Sequence, residues 1–353
     1  MVLQFLNKYE AQKEFDSSDY LKSLSISECY LRLGILYSNS GIIFDRNNSS
    51  DVDIRKHLFN IYFNSCTNFT LHEQEVLVYL FNELDKIISN NVNGDLFSIN
   101  QIRFKLVKLD SINLKLDWGY IFTINDTIVI PNNYLNSVLK CYNNHQIHNE
   151  HSLIETNGPK NEFYDNSKIL PCLTTLYHEL IHIIQRNKIH YPVHNKIFEY
   201  IYSNFWGFTK ISNDRLVINT KLPFVMITNP DTVNDKWIVS LFNYQKKYYE
   251  YFLPELIVDS LKHKPRGVLI LLKKHNNLFQ ITNIYKNIDE YKSYTRKFYG
   301  LMVQLYHPYE IFANLLSKYI VENIMYSDHQ DYFYFYNYIN KYTLSRDNLI
   351  KFR

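Results

Sequence analysis

No stretch of this 353-residue sequence is apolar and uncharged for long enough to cross a membrane. The opening residues, "MVLQFLNKYEAQKEFDSSDYLKSLS", contain no apolar run of signal-peptide length. Cysteine is sparse: Cys29, Cys66, Cys141 and Cys172 lie scattered, without a C-x-x-C pair. That excludes a disulfide scaffold and predicts buried free thiols. An excess of one charge is missing as well. The net charge is +3 and there is no dense Lys/Arg stripe, so neither nucleic acid nor an acidic membrane is expected as a partner. The basic-aromatic stretches "KHLFNIYF" and "KKYYEYF" are what this composition produces by itself. Together these absences predict a soluble, intracellular, cytoplasmic protein. Glycine numbers only 8, while Asn, Ile, Lys and Tyr are plentiful. Codons for those residues are A/T-rich, which admits a large DNA virus or a protist as source. No linker rich in Pro, Gly or Ser divides the chain, and no internal repeat is visible.

Aromatic residues are abundant, with 31 Tyr and 23 Phe, enough to fill a sizeable core and line a groove. Residues 1–69 read as a helical extension, with "SISECYLRLGILYSN" and "DIRKHLFNIYFNSC" as helices around the loop "DRNNSSD". In "TLHEQEVLVYLFNELDKIISNN", Thr70 and Glu73 form a capping box, and Val76, Leu77, Leu80, Leu84 and Ile87 recur at helical spacing. "QIRFKLVKLD" alternates Ile102, Phe104 and Leu106 as a strand does. "GYIFTINDTIVIP" reads as two extended runs around Asn125-Asp126, and "NNYLNSVLKCY" as a short helix. The polar run "NNHQIHNEHSLIETNGPKNEFYDNS" reads as a loop. Beyond residue 190, "NKIFEYIYSNFWGF" reads as helix. "LPFVMIT", "KWIVSLFNY" and "RGVLILLKK" read as strands, with a turn at "NPDT". "DEYKSYTRKFYGLMVQLY" and "HPYEIFANLLSKYIVENIM" read as helices, and the aromatic tail from Asp331 is expected to dock on the body.

Residues 176–186, "LYHELIHIIQR", carry the chemistry, because His178, Glu179 and His182 form H-E-x-x-H. Pro171 opens the helix that holds them. Residues four apart share one helix face, so both imidazoles can point at one ion. A catalytic zinc takes three protein ligands and a water, and a carboxylate beside the first histidine is placed to take that water's proton. Leu173, Leu176, Leu180, Ile181, Ile183 and Ile184 make this helix apolar nearly all round. Polar groups buried there need partners, and a metal is one. A pair of hydrogen-bonded core histidines is the alternative.

The third ligand sets the subclass. A metzincin needs Gly at position 185 and His at 188, where this chain has Gln185 and Lys188. His190 and His194 are off that spacing and read as surface residues. In "YHPYEIFANLLSKYI", Pro308 suits a first turn, and Glu310, Ala313, Asn314 and Ser317 share a face of mostly small residues. Such a face lets another helix approach, so Glu310 is the preferred third ligand over Glu255, Glu290 and Glu322. A Glu held at a solvent-exposed helix N-terminus is the competing view.

"HELIH" with the Glu310 helix resembles the gluzincin group of zinc metallopeptidases, of thermolysin-like organisation. "HPYEIFA" and "HIIQ" also look like stretches of intracellular and viral zincin-like proteins. The resemblance covers residues 70–190 and 290–325. It implies an α+β, zincin-like core: an extension at 1–69, an N-terminal lobe with the metal helix at 70–190, and a C-terminal lobe at 191–353. The last would hold a strand-rich insertion and a helical end. The resemblance further implies Zn²⁺ on His178, His182 and Glu310, with Glu179 as general base acting on a peptide or protein substrate. In that group an Asp four residues after the ligand Glu orients a ligand histidine; Asn314 stands there in this chain. Tyr177, Tyr294, His307 and Tyr309 are candidates for oxyanion stabilisation, and the 120–131 hairpin for an edge that pairs with an extended peptide. A catalytically idle zincin fold with a structural or binding role, such as a viral particle component, is the alternative function.

Overall fold

In the computed structural model the described residues are 2–40, 50–91, 102–110, 120–155, 169–218, 222–232, 235–259, 262–288, 292–295 and 305–322. The chain begins with strand β1 (Val2–Phe5) and helices α1 (Lys8–Ser17), α2 (Asp19–Ser23), α3 (Ile26–Ser40) and α4 (Asp51–Ser65). β2 (Cys66–Thr67), α5 (Leu71–Asn91), β3 (Arg103–Leu109), β4 (Phe122–Ile124) and β5 (Thr127–Pro131) follow. Residues 2–5, expected within a helical extension, thus supply a strand. Parallel β1, β3 and β5 form most of the first sheet, whose order is β1-β3-β5-β4 with β1 at one edge. β4 runs antiparallel to β5 at one edge, and β2 pairs with the end of β3. Asn125, at φ 51°, makes the tight turn between β4 and β5, as an Asn-Asp pair favours.

Both faces of this sheet are covered, which is why β3 and β5 are buried along most of their length. Phe104, Leu106, Ile128 and Ile130 face α5 and the helices beyond it. Val107, Leu109, Phe122 and Val129 face α1 to α4. The α5 capping box is present: Thr70 N–H donates to Glu73 Oε2 at 2.7 Å and Glu73 N–H to Thr70 Oγ1 at 3.3 Å. Glu73 also meets Lys108 Nζ at 2.8 Å, a buried pair that ties the helix to β3.

Four more helices come from the segments that hold the histidines and Glu310. They are α6 (Asn132–Glu155), α7 (Leu170–Arg186), α8 (Pro192–Tyr200) and, after α9 (Lys292–Thr295), α10 (Pro308–Glu322). α6 runs to Glu155, through the first half of a stretch that reads as a loop. Asn143 and Asn144 are exposed there, but His145 is buried and its ring contacts Tyr79 of α5. Between α8 and α9 lies a strand-rich stretch: β6 (Phe208–Ile211), β7 (Leu216–Val217), β8 (Phe224–Met226), β9 (Lys236–Asn243), β10 (Tyr248–Asp259), β11 (Lys262–His275) and β12 (Leu278–Asn287). They form a second sheet in the order β6-β9-β10-β11-β12-β7, with β8 on β10. Its two edge strands are joined by the 3-10 turn Asn213–Arg215, so the sheet must curl back on itself. Ile238, Leu253, Ile270 and Ile281 fill the concave side. Trp237, Val239, Phe252 and Leu269 on the other side join the same core as α5, α7, α8 and α10. The described chain is therefore a mixture of helix and strand, in keeping with the α+β expectation.

No described helix is long and apolar enough to cross a membrane. All four cysteines are free thiols, three of them buried. The expected tail contact, most of "DEYKSYTRKFYGLMVQLY" and the "DRNNSSD" loop up to Ser49 lie outside the described residues.

Candidate metal centre

α7 is buried on almost every face, including Leu176, Leu180, Ile181, Ile183 and Ile184. α10 lies along it in the most extensive helix–helix contact among the described residues. His307 starts α10: its Nδ1 accepts the Tyr309 N–H at 3.2 Å, and Pro308 follows where its missing N–H costs nothing. Glu310 then falls in the first turn. Ala313 and Ser317 continue its face, both buried, and bring the two helices close enough for a carboxylate to reach two imidazoles.

The three side chains meet at their tips. His178 Nε2 and His182 Nε2 are 2.9 Å apart, His178 Nε2 is 3.2 Å from Glu310 Oε2, and His182 Nε2 is 3.5 Å from Glu310 Oε1. With metal–ligand bonds of about 2.0–2.1 Å, ligand atoms around a tetrahedral zinc stand about 3.3 Å from each other. The three separations bracket that value. His182 and Glu310 are almost fully buried, while the His178 side chain keeps 12% of its exposure.

Hydrogen bonds fix which nitrogen of His182 offers a lone pair. Gln185 Nε2 donates to the Tyr202 hydroxyl at 2.9 Å and to the Tyr309 carbonyl at 3.2 Å. A carbonyl only accepts, so the amide is oriented with Oε1 toward His182 Nδ1, 2.8 Å away. Nδ1 therefore carries a proton, which makes Nε2, turned toward Glu310 and His178, the nitrogen whose lone pair a metal would take. Gln185, at the position where a metzincin needs Gly, is thus the residue that orients the His182 ring. Asn314, expected in that role, instead donates to the Glu310 main-chain carbonyl at 2.9 Å.

Electrostatics favour a cation here. Burial disfavours the charged form of both Glu310 and His182, but their mutual attraction wins, holding Glu310 well below the usual carboxylate range and raising His182. Glu179 is buried with Oε2 unpartnered, and Glu310 Oε2 also lacks a hydrogen-bond donor. Burial, then the charges of Asp231 and Glu310, push Glu179 well above its ordinary value, against the pull of Arg186. Three buried carboxyls thus share one guanidinium. Two imidazole nitrogens, an orphaned carboxylate oxygen and this surplus of acid suit a dication such as Zn²⁺.

A second group of residues surrounds the first, and the sequence marks it only by the turn at "NPDT". Asn229 Nδ2 donates to Glu310 Oε1 at 2.5 Å and to the Tyr306 hydroxyl at 2.5 Å. Asp231 Oδ1 accepts from the Thr123 N–H at 2.8 Å and hydroxyl at 2.6 Å, and Arg186 Nη1 donates to the Thr123 carbonyl at 2.6 Å. In the β4–β5 pairing, those main-chain groups of Thr123 point away from β5. The outer edge expected to pair with a peptide is already occupied at Thr123. No local pattern marks these residues, because each acts across a long sequence separation.

The remaining candidates lie elsewhere. His190 is exposed and His194 half-buried against Tyr191 and Phe198, outside the cluster. Glu255 accepts from Lys236. Glu322 ends α10, about 18 Å along the helix from Glu310 at 1.5 Å per residue, and Glu290 is outside the described residues. Tyr309 donates to Asp235, Tyr294 to the Leu305 carbonyl, and Tyr177 is fully buried in the core. Burial pushes His307 down to about 3, so it is a neutral ring bonded to the Asp235 carbonyl. The hydroxyl of Tyr306, one residue earlier, accepts from the same Asn229 amide that bonds Glu310. No protein-family profile, curated protein or solved structure matches the chain.

Proposed function

We propose that the chain is a zinc-dependent peptidase of gluzincin type, built on a zincin-like core and acting on a peptide or protein. One observation carries this reading. Ligand atoms of His178, His182 and Glu310, from two helices far apart in sequence, all lie within 4.8 Å of each other. The buried, unpartnered Glu179 beside them supports a hydrolytic role, because a structural site has no use for a base. A bound zinc would polarise a substrate carbonyl and acidify a water held with it.

The chain's own groups do the rest. Gln185 keeps the His182 lone pair turned to the site. Glu179 accepts a proton at Oε2 and returns it to the leaving amine. The apolar residues around α7 keep bulk water from that carboxylate. Tyr306, whose hydroxyl bonds the same Asn229 amide as Glu310, is a candidate donor for a developing negative charge.

A second reading, an idle zincin fold with a binding or structural role, rests on its own observation: Asp231 and Arg186 occupy the β4 edge at Thr123. Purified protein offered a broad peptide library separates the two. Glu179→Gln should keep its zinc while hydrolysis falls by about 10²–10⁴-fold, the usual contribution of a positioned base. Wild-type protein that holds zinc and cleaves no library member would favour the idle fold. Equal activity in both proteins would remove Glu179 as base.

A further inference from the structure

The "NPDT" turn is held from three sides, and one of them is the N-terminal segment. Glu28 of α3 accepts the Thr228 N–H at Oε1 and the Thr228 hydroxyl at Oε2, each at 2.8 Å. Arg32, one turn along, donates to the Thr228 carbonyl at 3.2 Å and pairs with Glu28 at 2.8 Å. Its other amino group meets the Tyr62 hydroxyl of α4 at 3.3 Å. Both charged side chains are completely buried. Such a pair brings little net stability, because desolvation consumes most of the attraction. What it does here is fix both main-chain polar groups of Thr228.

The next residue is Asn229, and every polar atom of its side chain is engaged. Oδ1 accepts the Asp231 N–H at 2.9 Å, while Nδ2 donates to Tyr306 and to Glu310 Oε1. The amide thus ties down one oxygen of Glu310 and leaves the other, Oε2, unpartnered and 3.2 Å from His178 Nε2. A lone carboxylate at a helix N-terminus can rotate about its terminal torsion. This one cannot do so without losing its bond to Asn229.

We propose that Asn229 is a positioning residue of the metal centre, fixing the Glu310 carboxylate so that Oε2 faces His178 while Oε1 faces His182, and that the Glu28–Arg32 pair sets Asn229. Helix α3 is then a working part of the site and not an appendage. The proposal rests on reading His178, His182 and Glu310 as ligands.

Zinc affinity of the full chain, measured by competition with a chromogenic chelator, tests it. Asn229→Ala should bind zinc about 10- to 100-fold more weakly, the range for losing a residue that orients a ligand. Glu28→Gln should weaken binding in the same direction by a smaller factor. The readout specific to positioning is a double-mutant cycle: in the Glu310→Ala background, Asn229→Ala should cost nothing further. A cobalt-substituted sample should show an altered visible spectrum in Asn229→Ala. Asn229→Asp, which keeps the size and the Oδ1 bond but loses the donor, covers the case in which the alanine variant does not fold. Wild-type affinity in both Asn229 variants would overturn the proposal while leaving the ligand set intact. An equal loss with and without Glu310 would overturn it too, by showing an effect on the fold. Wild-type protein that binds no zinc would remove the ligand set itself.

Discussion

A neutral imidazole has one lone pair to give, and a buried site must settle in advance which nitrogen gives it. In His182 that is settled by Gln185, whose amide is itself locked by Tyr202 and the Tyr309 carbonyl. Gln185→Leu should therefore weaken zinc binding by about 10- to 100-fold. It should also cost about 1–3 kcal/mol of stability, since a buried N–H and a carbonyl lose their partners. Chelator competition and urea unfolding read the two effects separately. An unchanged zinc affinity would mean that the ring is oriented by something else. At this scale "HELIH" was legible in the sequence because all its parts lie within one helical turn and a half. Glu310 was legible too, through the small residues at helical spacing behind it. Asn229 and Asp231 were not, since each works through a contact that only the tertiary fold creates, and Gln185, although three residues after His182 on one helix, has its amide turned by Tyr202 and Tyr309 from elsewhere in the fold.

Between elements, the approach of α7 and α10 is what turns two ordinary helices into a site. Ala313 is fully buried on the Glu310 face, so a larger side chain there has nowhere to go. Ala313→Leu should cost about 1–3 kcal/mol by overpacking. It should also lower zinc content, because separating the helices moves Glu310 from the histidines. Normal zinc content in a destabilised variant would show that the centre tolerates a shifted α10. Elements with a clean period were readable: α5 with its capping box, α7, α10, β3 and the β4–β5 hairpin. β10 was not, because Pro254 and a run of tyrosines break the pattern. The structure accommodates that proline between the stretches of β10 paired with β9 and with β8, where a missing N–H costs little. Glu73 and Lys108 join α5 to β3, and the sign of their effect can be worked out. Burial raises the Glu73 carboxyl, but the Lys108 ammonium and the Thr70 N–H outweigh it and leave it below its ordinary 4.5. A carboxyl lowered in the folded state stabilises at pH above its unfolded value and loses that contribution as pH falls through the folded one. Urea midpoints measured below pH 4.5 should thus fall less steeply with acid in Lys108→Met than in the wild type. An identical acid dependence would exclude the pair as a contributor.

Across the whole molecule, two sheets and the helices between them share one continuous apolar core, and the polar cluster sits inside it. That placement explains why the site's charges interact so strongly. It also explains how a buried ion pair on α3 reaches a carboxylate on α10 through a short turn. The sequence separates those parts by most of its length, so the long-range assembly was the least legible level. The central claim is that two α7 histidines and one α10 carboxylate form a single zinc centre. Its most direct test is the zinc content of purified protein after exhaustive dialysis, compared across wild type, His182→Ala, Glu310→Ala and Glu322→Ala. The account predicts about one zinc per chain in the wild type and in Glu322→Ala, and substantial loss in the other two. Wild-type protein without zinc, or full zinc retained in Glu310→Ala, would contradict it.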